Sequence, residues 1–379
     1  MKKELLLSKL VSFKTISLEE NLNLINFVYE YLKEFNIKAT ILKGEKNRAN
    51  LYAMIGPNKD DGIFLSGHTD VVPVEGQNWI TNPFKTEIKN NKIFGRGTAD
   101  MKGFLSVVLS LIPNIKQKKL IRPIHLMFSY DEEVGCVGIQ KAIPFIKKMK
   151  NKPNCCIVGE PTEMKVISQH KGKKNFQVFF HGIESHSSLV DKGVNAIEYA
   201  SIFVNFLTNL QNELKKKKNK NFSPSYSTIS VGKISGGIAL NIVPKFCSVE
   251  FEIRDLPNID YDSLIKKIKE FLKLKIEKSM KKINKYTKVE FKINNNFPGL
   301  YTNEKKSIVN LSLLASNSNN TGAVSFGTEA GVFNNLGIDT IVCGPGSIEQ
   351  AHKANEYIRI NQLDRCEIFL EKIISTLYK

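Results

Sequence analysis

The length and composition of the chain exclude several classes of protein. With 379 residues, of which 42% are hydrophobic and 24% charged, the chain can bury a sizeable core and is long enough for two domains. Its formal charge of +18 comes largely from scattered lysines, whereas arginine, the better reader of bases and phosphates, occurs at only six positions. No apolar run reaches the roughly 18 residues of a membrane-spanning helix. We therefore expect neither a nucleic-acid partner nor a membrane partner.

The amino-terminal segment and the cysteines indicate a cytoplasmic protein. The segment MKKELLLSKLVSFKTIS begins with basic residues, but Lys9 splits its apolar part and no small-residue cleavage site follows. It therefore does not have the pattern of a secretion signal. The six cysteines show neither CxxC spacing nor the density of a disulfide scaffold, which fits a reducing compartment.

Strand and helix patterns alternate in the first part of the chain. Apolar runs bounded by turn residues predict strands at 51–56, 63–67, 124–130 and 155–160. Helical periodicity predicts helices at 101–112 and 142–149. Such alternation is typical of a layered α/β domain.

The order of elements changes from about Lys174. The pattern becomes strand, helix, strand, strand, helix, strand, with these elements at 175–182, 196–210, 226–234, 247–255, 261–276 and 287–294. A helix at 307–316, a strand at 340–344 and a helix at 363–377 follow. The simplest account is a smaller α+β domain, 174–295, inserted into a discontinuous catalytic domain formed by 1–173 and 296–379.

Histidine, aspartate and glutamate, whose side chains can bind metals, occur where the predicted strands end. They follow strands or, in one case, precede a helix: His68, Asp70, Asp100, Glu132, Glu133, Glu160 and His352. One such side chain alone is more often a cap or a surface residue. The ordered set is different, because α/β folds build their active sites at the carboxyl ends of strands. The sequence therefore predicts a metal centre.

Five motifs resemble those of a known family. GHTDVVPV, GRGTADMKG, DEE, GEPT and the late GxxxxAH are similar to motifs of the dinuclear zinc amidohydrolases and metallopeptidases, which include succinyl-diaminopimelate desuccinylase and carboxypeptidase G. The motifs and the insert cover nearly the whole chain. The resemblance implies an α/β, zinc-peptidase-like catalytic domain, with a mixed sheet flanked by helices, and an inserted α+β open-sandwich domain that serves for dimerisation and as a lid.

The resemblance also implies two Zn²⁺ ions per subunit, for which Co²⁺ can substitute. Asp100 would bridge the ions, and the other ligands would form two pairs: His68 with Glu160, and Glu133 with His352. Asp70 would accept the second N–H of the His68 imidazole and so fix its tautomer and orientation. Glu132 would bind no metal and act as the general base.

Residues of the insert are implied in substrate binding. His186 in GIESHSS resembles a histidine that reaches into the active site of a neighbouring subunit and stabilises the oxyanion, which requires a homodimer. Arg254 in FEIRDLP suits a substrate carboxylate, and Asn241 in ALNIVP would belong to the adjoining loop. We interpret His125 as a core residue and leave His170 and His181 without a role, although His170 is placed to approach the substrate.

The segments that flank the motifs discriminate between possible acyl groups. VVPVEGQNWITNPF, TADMKGF and FGTEAGVF resemble segments of the family members that hydrolyse N2-acetyl-L-ornithine to L-ornithine and acetate, a step of arginine biosynthesis, and this resemblance implies the same reaction here. HKGKKN stands where desuccinylases carry an arginine-rich segment. Glu329 is a candidate partner for the ornithine ammonium. Succinyl-diaminopimelate, another acyl-amino acid or a dipeptide is the alternative substrate. A binding protein with an inactive metal site is disfavoured by the presence of Glu132.

Overall fold

The computed structural model describes residues 1–257 and 259–379, which form two compact units. The first unit comprises Met1–His170, Leu300–Ala323 and Thr328–Lys379, and the second comprises Lys171–Gly299 and Val324–Gly327. The predicted insert, 174–295, thus lies inside the second unit.

Helices and strands alternate through much of the first unit. The α-helices of the described residues are α1 (Lys3–Ser12), α2 (Leu22–Glu34), α3 (Gly103–Lys116), α4 (Val137–Lys148), α5 (Ala196–Leu214), α6 (Tyr261–Phe271), α7 (Lys278–Ile283), α8 (Ser307–Ser316), α9 (Ala330–Asn335) and α10 (Ile360–Ser375). The strands are β1 (Ala39–Lys43), β2 (Ala49–Ile55), β3 (Ile63–His68), β4 (Glu87–Lys89), β5 (Lys92–Phe94), β6 (Ile124–Ser129), β7 (Cys155–Pro161), β8 (Ile167–His170), β9 (Lys173–His181), β10 (Thr228–Gly236), β11 (Phe246–Arg254), β12 (Lys288–Phe297), β13 (Leu300–Tyr301), β14 (Gly322–Val324), β15 (Asp339–Gly344) and β16 (Tyr357–Arg359).

A mixed sheet forms the centre of the first unit, in the order β1-β2-β6-β3-β7-β15-β8-β13. Strand β3 runs parallel to β6 and β7, and β15 runs parallel to β7. Every residue of β3 and β6 is buried, as expected for strands that are covered on both faces. The expected α/β class with a mixed sheet is confirmed. The carboxyl ends of these four parallel strands meet at one edge of the sheet.

Helix α3 packs closely against the central sheet. Most of its residues are buried, and it also contacts α1 and α10. Its Phe104 ring lies against Gly159 of β7, where an added Cβ would come within 1.9 Å of the ring carbon Cγ. Only glycine permits this approach. The loop that precedes α3 is therefore held beside the end of β7.

The second unit is an antiparallel sheet packed against helices. Its strand order is β10-β11-β9-β12, and burial alternates along β9, which directs Phe176, Val178 and Phe180 towards the unit's own core. Helix α5 begins at a capped end, where the Asn195 side chain accepts hydrogen bonds from the main-chain N–H of Ile197 and Glu198. This is the α+β open sandwich that the pattern of the insert predicted.

Two general properties follow from the described residues. None of the helices within 1–257 and 259–379 has the length and apolarity that crossing a membrane requires. All six cysteines are free; Cys155 is half-buried and the others are buried. Burial raises the pKa of each of these thiols above its ordinary value.

Candidate metal centre

Five predicted ligands lie at the carboxyl edge of the central sheet. They come from the end of β3, the loop before α3, the turn after β6, strand β7 and the loop after β15, and they are His68, Asp100, Glu133, Glu160 and His352 respectively. The parallel register of the strands brings these distant parts of the chain together.

Asp100 lies between two imidazoles. Its Oδ1 is 3.0 Å from Nε2 of His68, and its Oδ2 is 3.5 Å from Nε2 of His352. The same His352 nitrogen is 2.9 Å from Oε2 of Glu133, and the His68 nitrogen is 3.7 Å from Oε1 of Glu160. Each oxygen of Asp100 thus faces a different histidine and carboxylate pair. This is the arrangement that a carboxylate bridging two cations requires.

The charges of this cluster favour bound cations. Burial and then the charge of Asp100 raise the pKa of Glu133 to about 7. Burial also raises the pKa of Glu160 well above its ordinary value, although the nearby His68 opposes this. Two groups of three ligand atoms, His68 with Asp100 and Glu133, and His68 with Glu132 and Glu160, each lie within 4.8 Å. Converging buried carboxylates repel one another, and divalent cations relieve that repulsion. The donor set therefore fits two metal ions.

Asp70 contacts the Nδ1 side of the His68 ring, opposite the nitrogen that faces the other ligands. The His68 Nδ1 is 2.9 Å from the main-chain oxygen of Asp70 and 3.4 Å from its carboxylate Oδ1. A proton on Nδ1 is thus directed at Asp70, which leaves Nε2 free to face the ligand cluster. The Asp70 carboxylate also accepts hydrogen bonds from the main-chain N–H of Glu132 and Glu133, at 3.0 and 3.3 Å. It fixes the turn that carries both glutamates. Ser17, which the sequence did not single out, donates to it as well, at 2.8 Å.

Glu132 lies among the ligand atoms. Its carboxylate forms one of the three-atom groups with His68 and Glu160. Burial raises its pKa well above the ordinary value, His68 opposes the rise, and the charge of Glu133 adds to it. The position suits a ligand as well as a base, so the assignment of Glu132 as the base rests on the resemblance.

The three predicted residues of the insert lie in the second unit. His186 is exposed, and its Nδ1 is 2.8 Å from the Ser188 hydroxyl. Asn241 is exposed in the neighbouring segment, where its main-chain oxygen accepts from Ser187 N at 3.0 Å. Arg254 ends β11, and its Nε donates to Glu252 at 2.9 Å. His186 and Asn241 are therefore neighbours, and their roles with substrate stay predictions.

Two other histidines lie in the core of the first unit. His125 is fully buried, its Nδ1 is 2.8 Å from the Tyr52 hydroxyl, and burial lowers its pKa to about 4. It is a neutral core residue, as interpreted from the sequence. His170 is fully buried as well, with Nε2 at 3.1 Å from the Thr328 hydroxyl.

Glu329 lies beneath the centre rather than at its surface. It is fully buried, and its carboxylate accepts hydrogen bonds from the hydroxyls of Ser129 and Ser66. A contact with a substrate ammonium would require this segment to move. That contact stays a prediction, and no local pattern in FGTEAGVF indicates that the side chain is buried.

The pKa of Glu329 leads to a prediction about stability. Burial raises this pKa from 4.5 to about 7, against the opposing hydrogen bond from Ser129. The folded protein then binds the proton more tightly than the unfolded chain, so the free energy of unfolding falls as pH rises through this interval. In metal-free protein, Glu329→Gln should be more stable than wild type at pH 8 by up to about 3 kcal/mol and should lose this pH dependence.

Urea unfolding at pH 5 and pH 8 measures the effect. The exposed Glu371→Gln serves as the control. An equal pH dependence of stability in wild type and Glu329→Gln would show that folding does not raise the pKa of Glu329.

Comparison with known proteins identifies the family. The chain matches the profile of "Peptidase family M20/M25/M40" over residues 64–376. It is 32% identical over 361 residues to an acetylornithine deacetylase of Buchnera aphidicola subsp. Acyrthosiphon pisum (strain 5A), covering 94% of this chain and 91% of the relative. An acetylornithine deacetylase of Aliivibrio fischeri (strain ATCC 700601 / ES114) is 33% identical over 357 residues, covering 94% and 92%.

Solved structures agree on the fold. The M20 family metallo-carboxypeptidase Sso-CP2 of Sulfolobus solfataricus superposes with a TM-score of 0.78 at 19% identity, covering 100% of this chain and 99% of that one. The YXEP protein of Bacillus subtilis, described as a dinuclear metal binding peptidase, has a TM-score of 0.71 at 13% identity, covering 99% and 97%. With near full-length sequence relatives and the same fold, the chain belongs to peptidase family M20/M25/M40.

Proposed function

We propose that the protein hydrolyses N2-acetyl-L-ornithine to L-ornithine and acetate, as a step of arginine biosynthesis. The observation that carries the proposal is the identity of 32–33% to acetylornithine deacetylases over 94% of the chain. The gathering of His68, Asp100, Glu133, Glu160 and His352 at one edge of the sheet supports it chemically. We also propose a cytoplasmic location, in line with the cysteine pattern of the sequence.

We propose that the centre holds two Zn²⁺ ions, with Co²⁺ as a substitute. His68 and Glu160 would hold one ion, Glu133 and His352 would hold the other, and Asp100 would contribute one carboxylate oxygen to each. Such ions, when bound, polarise an amide carbonyl and acidify a water molecule.

A side chain of the protein transfers the proton during hydrolysis of the amide. Glu132 takes a proton from the attacking water and returns it to the departing amine nitrogen, so a single carboxylate serves as base and then as acid. Burial raises the pKa of this carboxyl well above its ordinary value, which makes it a stronger base than an exposed glutamate. Asp70 keeps Glu132 in place through the hydrogen bond to its main-chain N–H.

In the second unit, Arg254 is our candidate for the substrate carboxylate, with Asn241 in the adjoining segment. A guanidinium presents a planar fork of donors that matches a carboxylate. The pairing of Arg254 with Glu252, at 2.9 Å, holds the Arg254 side chain before substrate arrives.

His186 is our candidate for a contact across a homodimer. Its exposed imidazole is open to a partner subunit. His186→Ala is expected to lower kcat by about 10²- to 10³-fold, since an oxyanion donor is lost. His181→Ala, in the same unit, is the control and should leave kcat near the wild-type value.

A mixture of two variants tests directly whether His186 acts in the active site of the other subunit. When inactive His186→Ala and Glu132→Gln subunits are mixed and allowed to exchange, each mixed dimer has one site with both groups intact. Activity should then reappear. If the mixture stays inactive although mixed dimers form, His186 does not act across subunits.

A substrate panel tests the function. Metal-stripped protein, restored with Zn²⁺ or Co²⁺, is assayed in parallel with N2-acetyl-L-ornithine, succinyl-diaminopimelate and dipeptides. We expect the largest kcat/KM with acetylornithine. A larger kcat/KM with succinyl-diaminopimelate would overturn the assignment. Acetylnorvaline, which lacks the ammonium, tests Glu329: if Glu329→Gln leaves kcat/KM unchanged for acetylornithine and acetylnorvaline alike, Glu329 does not recognise the ammonium.

A further inference from the structure

A buried ion pair lies beside the candidate metal centre and has no part in the chemistry described above. The Arg96 and Glu356 side chains are each 1% exposed, and Arg96 NH1 is 2.8 Å from Glu356 Oε2. Burying two charges is costly unless their remaining donors and acceptors are satisfied. The hydrogen-bond partners of these two side chains therefore indicate why they are buried.

The Glu356 carboxylate holds the loop that carries Asp100. Its Oε1 accepts from the main-chain N–H of Ala99 and Asp100, at 2.9 and 3.1 Å. Its Oε2 accepts from Gly97 N at 2.9 Å, in addition to Arg96. Gly97 has a φ of 84°, which favours glycine, so the tight turn presents three N–H groups to one carboxylate. The main chain at the bridging ligand is thus fixed by a residue from the far end of the sequence.

The same network holds the loop that carries His352. Arg96 NH1 donates to the main-chain oxygen of Lys353 at 3.2 Å, and Arg96 NH2 is 2.5 Å from Oε1 of Gln77. The Gln77 amide in turn donates to the main-chain oxygen of His352 at 2.8 Å. His352 itself has a φ of 63°, a conformation that a non-glycine residue adopts only when its surroundings hold it there.

We propose that Glu356, Arg96 and Gln77 form a positioning clamp for Asp100 and His352. These two ligands lie on separate loops, one before α3 and the other after β15. The clamp ties both loops to one guanidinium and one carboxylate, so it sets the separation of the two ligands before a metal ion enters. Such support of ligands by outer groups raises metal affinity. The inference rests on the proposed two-metal site.

The variant Glu356→Gln tests the clamp with little change of shape. A Gln amide keeps one acceptor oxygen, but its NH₂ group faces N–H donors that it cannot accept from. We expect the affinity for Co²⁺ to fall by about 10- to 100-fold, chiefly for the ion that His352 binds. Titration calorimetry and the visible absorption of bound Co²⁺ report the affinity and the coordination, independently of turnover.

A matched control separates positioning from the general cost of breaking a buried ion pair. Asp255 in the second unit accepts from Lys174 Nζ at 2.5 Å, and both side chains are buried. Asp255→Asn makes the same carboxylate-to-amide change, and we expect it to leave Co²⁺ affinity within about twofold of wild type.

Each result of the Co²⁺-binding measurements either supports or contradicts the clamp. Folded Glu356→Gln that binds Co²⁺ as tightly as wild type overturns the clamp. If that variant fails to fold, the partly exposed Gln77→Leu replaces it, and unchanged Co²⁺ affinity there also overturns the clamp. Wild type that binds no Co²⁺ contradicts the proposed metal site itself, so the two failures are distinguishable.

Discussion

Replacing Glu132 by glutamine is expected to lower kcat by about 10²- to 10⁴-fold while two metal ions stay bound. The substituted glutamine would keep the shape of the side chain and the main-chain N–H that donates to the Asp70 carboxylate at 3.0 Å. It cannot accept a proton, so the attacking water would lose its base. Steady-state kinetics with acetylornithine and metal analysis of the same sample measure both quantities.

The neighbouring glutamate provides the contrast. Glu133→Gln removes a carboxylate that lies 2.9 Å from His352 Nε2, and it should weaken metal binding as well as turnover. The exposed Glu371→Gln should change neither. Full turnover in Glu132→Gln would rule out the assigned mechanism, and metal loss from it would make Glu132 a ligand.

The second large effect is expected at Asp100. Asparagine has one oxygen and one NH₂ group, so it can face one cation but cannot bridge two. Asp100→Asn should therefore bind the ions far more weakly and lose at least about 10³-fold in kcat, since metal ions supply several kcal/mol of transition-state stabilisation and about 1.4 kcal/mol corresponds to tenfold. Kinetics at saturating Zn²⁺ and a binding titration measure the two losses.

Removing the metal from wild type should have the same consequence. A chelator is expected to abolish turnover, and Zn²⁺ or Co²⁺ added back should restore it in wild type but not in Asp100→Asn. The exposed Asp60→Asn is the control and should behave as wild type. Turnover that survives complete metal removal would contradict the proposed chemistry.

The candidate metal ligands were predictable from the sequence because each lies at or after the end of an apolar run that predicts a strand, or just before a predicted helix. The buried runs that became β3, β6, β7 and β15 have the continuous apolar character of strands covered on both faces. Once an α/β domain was inferred, the polar residues that follow these strands were expected at the carboxyl edge of its sheet. Helix α8, at Ser307–Ser316, was predicted with the same ends.

Helix α1, near the amino terminus, is not among the predicted elements. It buries Leu6, Leu7, Leu10 and Val11, and this spacing of three and four residues is a helical signal within the sequence. The same leucines follow a basic start, as in an export signal, so the segment fits two patterns, and the helix is the one that forms.

Contacts between distant residues could not be predicted in this way. Glu356 meets the loop at Gly97–Asp100 only because β16 pairs with β5, a pairing that no local pattern indicates. The burial of Glu329 likewise depends on its contacts with Ser129 and Ser66, which are distant from it in the sequence. Arg96 did carry a signal, since it is one of six arginines and lies inside the GRGTADMKG motif.

The buried cysteines have a practical consequence for following the two units in solution. Thiols react with alkylating reagents as thiolates, and burial raises the pKa of all six above the ordinary value. The native thiols should therefore label slowly at neutral pH. One cysteine introduced on each unit would take up fluorophores selectively, and energy transfer between them would report whether the distance between the units changes when substrate binds.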